Sequence, residues 1–324
     1  CYTEWVRPAL PWALFATVIL GIGILMGGYW AYETLNFGGY WNWDPVENAV
    51  FVPWIVLVAS MHSMVAARKK GTSMKLSFIL VITTFLLILY STFLTRSGIL
   101  GDSSVHSFTD LGLSGQLLIV LVAFVLISIF FMVRSWKKIP SSPDEVSTYS
   151  REFWVFIGIT VLCLCAFQII ITTSIPVYNA ILENIGIESN VAPPADQVAH
   201  YSKIQVWFAL CIAILSGIGQ YFWWRRPALK PSVGSQQSAV GSRQSAIGNP
   251  KSAIANALSI PFILTLVISS IIILLAQIRN ISYILLLTCA MFTIIANLNI
   301  FINAVKNNYK LAGGSVAHVG IGLM

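Results

Sequence analysis

The sequence predicts an all-α fold, a polytopic bundle of transmembrane helices. Three observations carry that prediction. Hydrophobic residues make up 57% of the chain against 10% charged, mean hydropathy is +0.79, and the apolar residues gather into long runs instead of alternating. A helix that crosses the ~30 Å hydrocarbon core needs ~20 apolar residues, and it satisfies its own backbone polar groups there. Spans are expected at about 11–31, 49–67, 77–95, 115–133, 154–175, 204–224, 256–276 and 282–303, with the start of a ninth from about 313. The sequence opens at Cys1 and stops inside an apolar run, as expected of a piece of a longer polytopic protein.

Basic residues set the order in which these runs cross, because Lys and Arg accumulate on the cytoplasmic side. With the first decapeptide and Arg7 inside, the first span leads to an outer segment, 32–48. The second returns to Arg68, Lys69, Lys70 and Lys75 inside. The third ends in an outer loop, 96–114, and the fourth comes back to Arg134, Lys137, Lys138 and Arg151. The fifth leads to the outer loop 176–203, and the sixth to Arg225 and Arg226. A cytoplasmic segment, 230–255, precedes the seventh, and Arg279 marks the turn into the eighth, which ends at Lys306 and Lys310. Only Arg96, Lys203 and Arg279 then fall outside, with most of the acids. The net charge of +7 is therefore a topology signal and not a nucleic-acid footprint; the partner it implies is the lipid bilayer.

Two features lie outside the apolar pattern. Residues 235–255 form three seven-residue units rich in Ser, Gln and Gly, too polar to offset the entropy of ordering, and read as a flexible linker. Cys163, Cys165, Cys211 and Cys289 fall within spans, where cysteine acts as a small apolar residue. The absence of C-x-x-C and C-x-x-C-H excludes a thiol reductant of that type and a c-type haem carrier.

Candidate chemistry sits in residues 37–48, where Phe37, Tyr40, Trp41 and Trp43 stand with Gly38, Gly39, Asp44 and Glu47. The plainer reading of the tryptophans is an interfacial belt. Against it stand the glycine pair, which permits close backbone approach, and the fixed acids, which together suit a large, planar, mostly apolar ligand. Asp44 is expected to cap a helix starting at Pro45, a good first helical residue, and Glu47 to occupy its first turn. Both acids thus shape the platform. Arg96, at the mouth of a span, is the candidate partner for an anionic group.

Four histidines remain. His62 and His318 lie at similar depth from the inner boundary, roughly 9–12 Å at 1.5 Å per residue. Ionisable residues within spans are functional candidates. Two neutral imidazoles at one depth on different helices are what axial ligation of a b-type haem requires; the alternative is that each hydrogen-bonds between helices. His106 sits in the outer loop 96–114, where it could ligate iron or be an exposed polar residue. His200 sits in the outer loop 176–203, four residues before the sixth span, and reads as a tolerated loop residue.

Residues 37–48 resemble the tryptophan-rich "WWD" segment of haem-handling membrane proteins. With Pro53-Trp54, Met61-His62-Ser63, Thr95-Arg96-Ser97-Gly98, the 104–108 motif around His106, Ser150-Arg151-Glu152 and Ala317-His318-Val319-Gly320, the ordered set resembles the CcmF family of cytochrome c biogenesis proteins. The resemblance implies a haem lyase subunit of the bacterial inner membrane, with its functional loops on the periplasmic side. Such a subunit takes haem from a periplasmic haem chaperone. With thiol-handling maturation subunits, it joins that haem to the cysteines of a C-x-x-C-H apocytochrome c. Carried over, His62 and His318 match the ligands of a resident haem b, and His106 matches a ligand of the haem in transit. Gly38, Gly39, Tyr40, Trp41, Trp43 and Asp44 form the platform, with Arg96 at a propionate.

Three departures qualify the match. Nothing upstream of Phe37 is a histidine, although the family's other outer ligand lies there. Phe37 and Tyr40 stand where tryptophan is usual, and Asn42 stands where an aromatic is. A haem transporter delivering haem to a periplasmic carrier is the alternative that shares the aromatic segment; paired repeats or broken helices would favour it, and the sequence has none.

Overall fold

The computed structural model describes residues 4–35, 38–70, 73–101, 103–104, 107, 112–140, 151–224, 250–308 and 312–324. Phe37, His106 and most of the 230–255 linker lie outside the described residues. The described residues form ten helices and no strand: α1 (Val6–Leu35), α2 (Pro45–Lys70), α3 (Met74–Arg96), α4 (Ser114–Ser135), α5 (Arg151–Thr173), α6 (Ile175–Asn184), α7 (Gln197–Trp224), α8 (Pro250–Leu275), α9 (Ile281–Asn308) and α10 (Gly313–Leu323). Eight of them are long and apolar enough to cross a membrane, which bears out the predicted fold class.

Several helix ends differ from the expected spans, and three of the differences change a reading. Residues 176–203 are not one loop. Pro176 opens α6, where its missing N–H costs nothing, and a ten-residue helix is too short for a ~20-residue apolar window to register. The seventh helix begins at Gln197, seven residues early, because Asp196 Oδ1 accepts from the Ala199 N–H at 2.8 Å and caps it. His200 therefore lies in the first turn of α7 and not in a loop. Finally, α8 reaches back to Pro250 and takes in residues assigned to the linker; Pro at the first turn followed by Ser-Ala-Ile-Ala starts a helix readily.

The chain divides into two compact units. The first comprises Cys1–Glu145 and Val155–Gln205. Small residues on α2, Ala59, Ser60 and Ser63, are fully buried and allow close approach of α3, where the Ser63 and Ser77 hydroxyls meet at 2.8 Å. One end is closed by Val6, Leu10, Met64, Ala67, Met74 and Ile139. The other, which carries the aromatic segment, is closed by Ala49, Phe93, Leu94 and Leu100. α4 buries none of its side chains and exposes Ile119, Phe130 and Val133, as suits a lipid-facing helix. Cys165 packs as expected, buried with its Sγ–H donated to Gln205 Oε1.

The second unit comprises Val146–Trp154 and Val206–Met324. Here α7 and α9 pack through Gly217, where an added Cβ would lie 2.6 Å from a Phe292 ring carbon. Tyr221, Ala296 and Ile300 form the adjoining core with Leu258. Polar links cross the same contact: Thr293 Oγ1 donates to the Ala213 carbonyl at 2.6 Å, and Asn297 Nδ2 to that of Ser216 at 3.1 Å.

Candidate haem-handling site

The aromatic segment is a tightly tied junction between α1 and α2. Asp44 Oδ1 accepts from the Val46 N–H at 2.9 Å, while Glu47 Oε2 reaches back to the N–H groups of Asp44 (3.2 Å) and Asn42 (3.0 Å). This reciprocal arrangement is a capping box, and both acids are buried. Asn48, fully buried, donates to the Trp43 carbonyl at 2.9 Å, and Asn42 Nδ2 to that of Gly39 at 2.8 Å. These bonds hold Trp43 at φ 56°, a left-handed conformation that costs a non-glycine residue about 1–3 kcal/mol and persists only where its surroundings enforce it. Tyr40 donates its hydroxyl to the Leu25 carbonyl, and Gly28 of α1 lies close enough that an added Cβ would meet the Tyr40 carbonyl at 3.3 Å.

The rings do not make one flat surface. Trp41 and Trp43 meet edge to face at 6.0 Å with an interplanar angle of 89°. A single planar ligand can lie on one of them, not on both, so the expected platform is corrected to a perpendicular pair. Trp43 is stacked on Tyr201 of α7 at 5.3 Å and 22°, and Tyr201 is buried with its hydroxyl 3.1 Å from Thr173 Oγ1. Phe51 backs both tryptophans and stacks on Trp54, whose Nε1–H donates to the Thr17 carbonyl at 3.0 Å. At Gly38 an added Cβ would meet nothing within 4 Å, so the glycine leaves open space beside the rings.

Ser104 was missed by sequence reasoning and connects two of the predicted pieces. Its hydroxyl donates to Asp44 Oδ1 at 2.7 Å, and both residues are buried. The loop that leads to His106 is thereby fastened to the aromatic segment. Tyr201 was also missed; no local signal pairs it with Trp43. Arg96 is exposed at the end of α3 and lines a cavity of about 470 Å³ with Leu20, Val50, Pro53 and Leu117. As given by the described residues, that wall contains neither tryptophan. His200 sits edge-on to Tyr201 at 5.2 Å, and its Nε2 is buried with no hydrogen-bond partner.

His62 is half-buried in α2, with Nδ1 2.8 Å from the Val58 carbonyl. A carbonyl only accepts, so Nδ1 carries the proton and Nε2 carries the lone pair. That is the state a metal ligand needs, with the second ring nitrogen held by an acceptor. His62 therefore fits an axial ligand of iron. His318 is half-buried in α10. His62 belongs to the first unit and His318 to the second.

The sequence profile of the family described as "Cytochrome C assembly protein" matches residues 2–100. The "Cytochrome c-type biogenesis protein CcmF" of Haemophilus influenzae is 36% identical over 225 residues, which are 69% of this chain and 33% of that protein. Its namesake in Pseudomonas fluorescens is 32% identical over 231 residues, 71% and 33% respectively. Over the matched residues this chain is similar to the CcmF proteins. It spans about a third of the length of the curated CcmF proteins it matches. A solved structure titled "Cytochrome c Heme Lyase CcmF" overlays 99% of this chain and 45% of its own with a TM-score of 0.64 at 22% identity. That CcmF structure shares the fold.

Proposed function

We propose that this chain is the haem-presenting part of a cytochrome c haem lyase, acting with thiol-handling subunits and a haem donor at the periplasmic face of the inner membrane. The observation that carries the proposal is the Ser104–Asp44 bond of 2.7 Å between the aromatic junction and the loop leading to His106. Ser104 precedes His106 by two residues in the sequence, which supports assigning His106 to the same site.

The substrate is haem, with Trp41 as its stacking surface, Trp43 as the wall at right angles, and His106 as an iron ligand that excludes competitors. Held there, its vinyl groups face the incoming thiols of a C-x-x-C-H segment. Each S–H adds across one vinyl double bond, sulfur to the carbon next to the ring and hydrogen to the terminal carbon. The chain contributes proximity and orientation of two large reactants; the thiols, once ionised, supply the nucleophile. Arg96 is assigned to a propionate. His62 and His318 are assigned to a resident b-type haem, which when bound supplies one-electron chemistry.

The test is the visible spectrum of the full-length protein in mild detergent, as wild type, His62→Ala and His318→Ala, alongside haem attachment to a C-x-x-C-H apocytochrome. Sharp reduced α and β bands that vanish in both variants are expected. Haem-free wild-type protein, or bands indifferent to both substitutions, would sink the resident-haem assignment. Attachment unaffected by Trp41→Ala and His106→Ala together would sink the lyase site and favour a carrier of haem.

A further inference from the structure

The second unit contains an acceptor whose role the fold does not explain. Thr293 and Asn297 of α9 are fully buried. The Thr293 hydroxyl is satisfied by the carbonyls of Ala213 and Cys289. Asn297 Nδ2 donates to the carbonyls of Ser216 at 3.1 Å and Thr293 at 2.9 Å. Both partners only accept, so the amide nitrogen must be the atom on that side. Its Oδ1 is therefore turned the other way, buried and with no hydrogen-bond partner. An unmet buried acceptor costs about 1–3 kcal/mol and calls for a reason.

α10 packs against α9 one turn away. An added Cβ on Gly322 would lie 2.8 Å from Ile294 Cγ1 and 3.1 Å from the Ala290 carbonyl, so the two helices touch almost backbone to backbone. Gly322 ends α10 while Ala290 and Ile294 lie in the first half of α9, so α10 runs back along α9. One turn before Gly322 on the same face stands His318. One turn beyond Ile294, toward the C-terminal end of α9, stands Asn297. In an antiparallel pair these two turns are at one level.

We infer that Asn297 is a positioning residue for His318, accepting the imidazole N–H through Oδ1 so that the other ring nitrogen is presented outward. The inference rests on the reading of His318 as an iron ligand. An imidazole that gives one nitrogen to iron needs its other N–H held by an acceptor, which fixes tautomer and ring plane and raises its donor strength. His62 meets that need with the Val58 carbonyl; Asn297 Oδ1, which has no partner in this structure, would meet it for His318 when the haem is bound. Two groups compete for these roles. The Gly314 carbonyl, one turn before His318, could take its N–H. Ser315 Oγ, also buried without a partner, could donate to Oδ1.

The test uses full-length protein in mild detergent carrying Asn297→Leu, Asn297→Asp, Ser315→Ala or His318→Ala. Haem loss to apomyoglobin, the ferric EPR spectrum, the midpoint potential and the melting temperature are read for each. Asn297→Leu is expected to weaken haem retention roughly 10–100-fold and to make the midpoint more positive, since a less basic imidazole stabilises ferric iron less. Asn297→Asp, protonated in this apolar contact, keeps an accepting oxygen and a donor and is expected to retain haem like wild type. Ser315→Ala is expected to be silent. A lower melting temperature with wild-type EPR and midpoint in Asn297→Leu would make Asn297 a clamp between α9 and α7 and overturn the inference. So would an Asp variant no better than Leu, or a Ser315→Ala variant with the Leu phenotype. His318→Ala that keeps its bands overturns the ligand reading itself, a separate result.

Discussion

Replacing Asp44 separates its role as a scaffold from any role as a charge. In Asp44→Ala, α2 loses its N-cap, worth about 0.5–2 kcal/mol. The buried Ser104 hydroxyl loses the acceptor it meets at 2.7 Å, at a further cost of about 0.5–1.5 kcal/mol. The two sum to roughly 1–3.5 kcal/mol, and the loss falls on the junction and on the loop ahead of His106. Asp44→Asn keeps an accepting oxygen in the same place, and Asn caps as well as Asp, so its cost should stay below ~1 kcal/mol. Amide hydrogen exchange across residues 38–50 and 97–104 of the detergent-solubilised protein, with its melting temperature, measures the difference. Fast exchange in Ala, wild-type protection in Asn and unchanged haem binding in Asn are expected. If Asn matched Ala in either exchange or haem binding, the carboxylate charge would be the essential element, and the capping argument would fail.

Two further perturbations probe packing. Gly322→Val places a Cβ about 2.8 Å from Ile294 and near the Ala290 carbonyl; because backbone cannot move aside cheaply, α10 should part from α9. The loss is about 1–3 kcal/mol, read as weakened haem retention and faster proteolysis near the C-terminal end. Tyr201→Phe keeps the stack on Trp43 and removes the hydroxyl contact with Thr173. It should cost about 0.5–1.5 kcal/mol in the melting of the first unit, and Tyr201→Ala distinctly more.

Much of this architecture was legible because bilayer physics imposes few patterns. Apolar runs located eight spans, and Asp44-Pro45 with Glu47 announced the cap that the hydrogen bonds display. Polar residues inside the fold misled the same reasoning. Gln197, His200, Ser202 and Lys203 look like the end of a loop, yet they follow the Asp196 cap and are helical, so hydropathy starts α7 too late. The short α6 has no signal beyond Pro176. Contacts far apart in sequence left none at all: nothing in the neighbourhood of Trp43 specifies that Tyr201 covers its face, nor that Ser104 binds Asp44. Histidine positions were legible as types at depths. Tautomers were not, because the acceptor that fixes His62 is a backbone carbonyl.

The perpendicular tryptophans make a final prediction that a flat platform would not. Because Trp41 and Trp43 lie at 89°, one haem stacks on one ring. Trp43 has a face covered by Tyr201 and its backbone held at φ 56°, so its substitution acts mainly through the fold. Trp41 meets Trp43 and Phe51 in T-shaped contacts, with no stacked partner among the described residues, and is the ring assigned to the ligand. Trp41→Leu, which keeps apolar bulk but loses the π-face, should weaken haem binding by about 0.5–1.5 kcal/mol, a two- to tenfold rise in Kd, with little change in melting. Trp43→Leu should lower the melting temperature and weaken haem only in proportion. Haem titration and thermal denaturation of both variants decide the matter. Equal losses of affinity at unchanged stability would mean that both faces meet the ligand, which this geometry forbids without reorganisation of the junction.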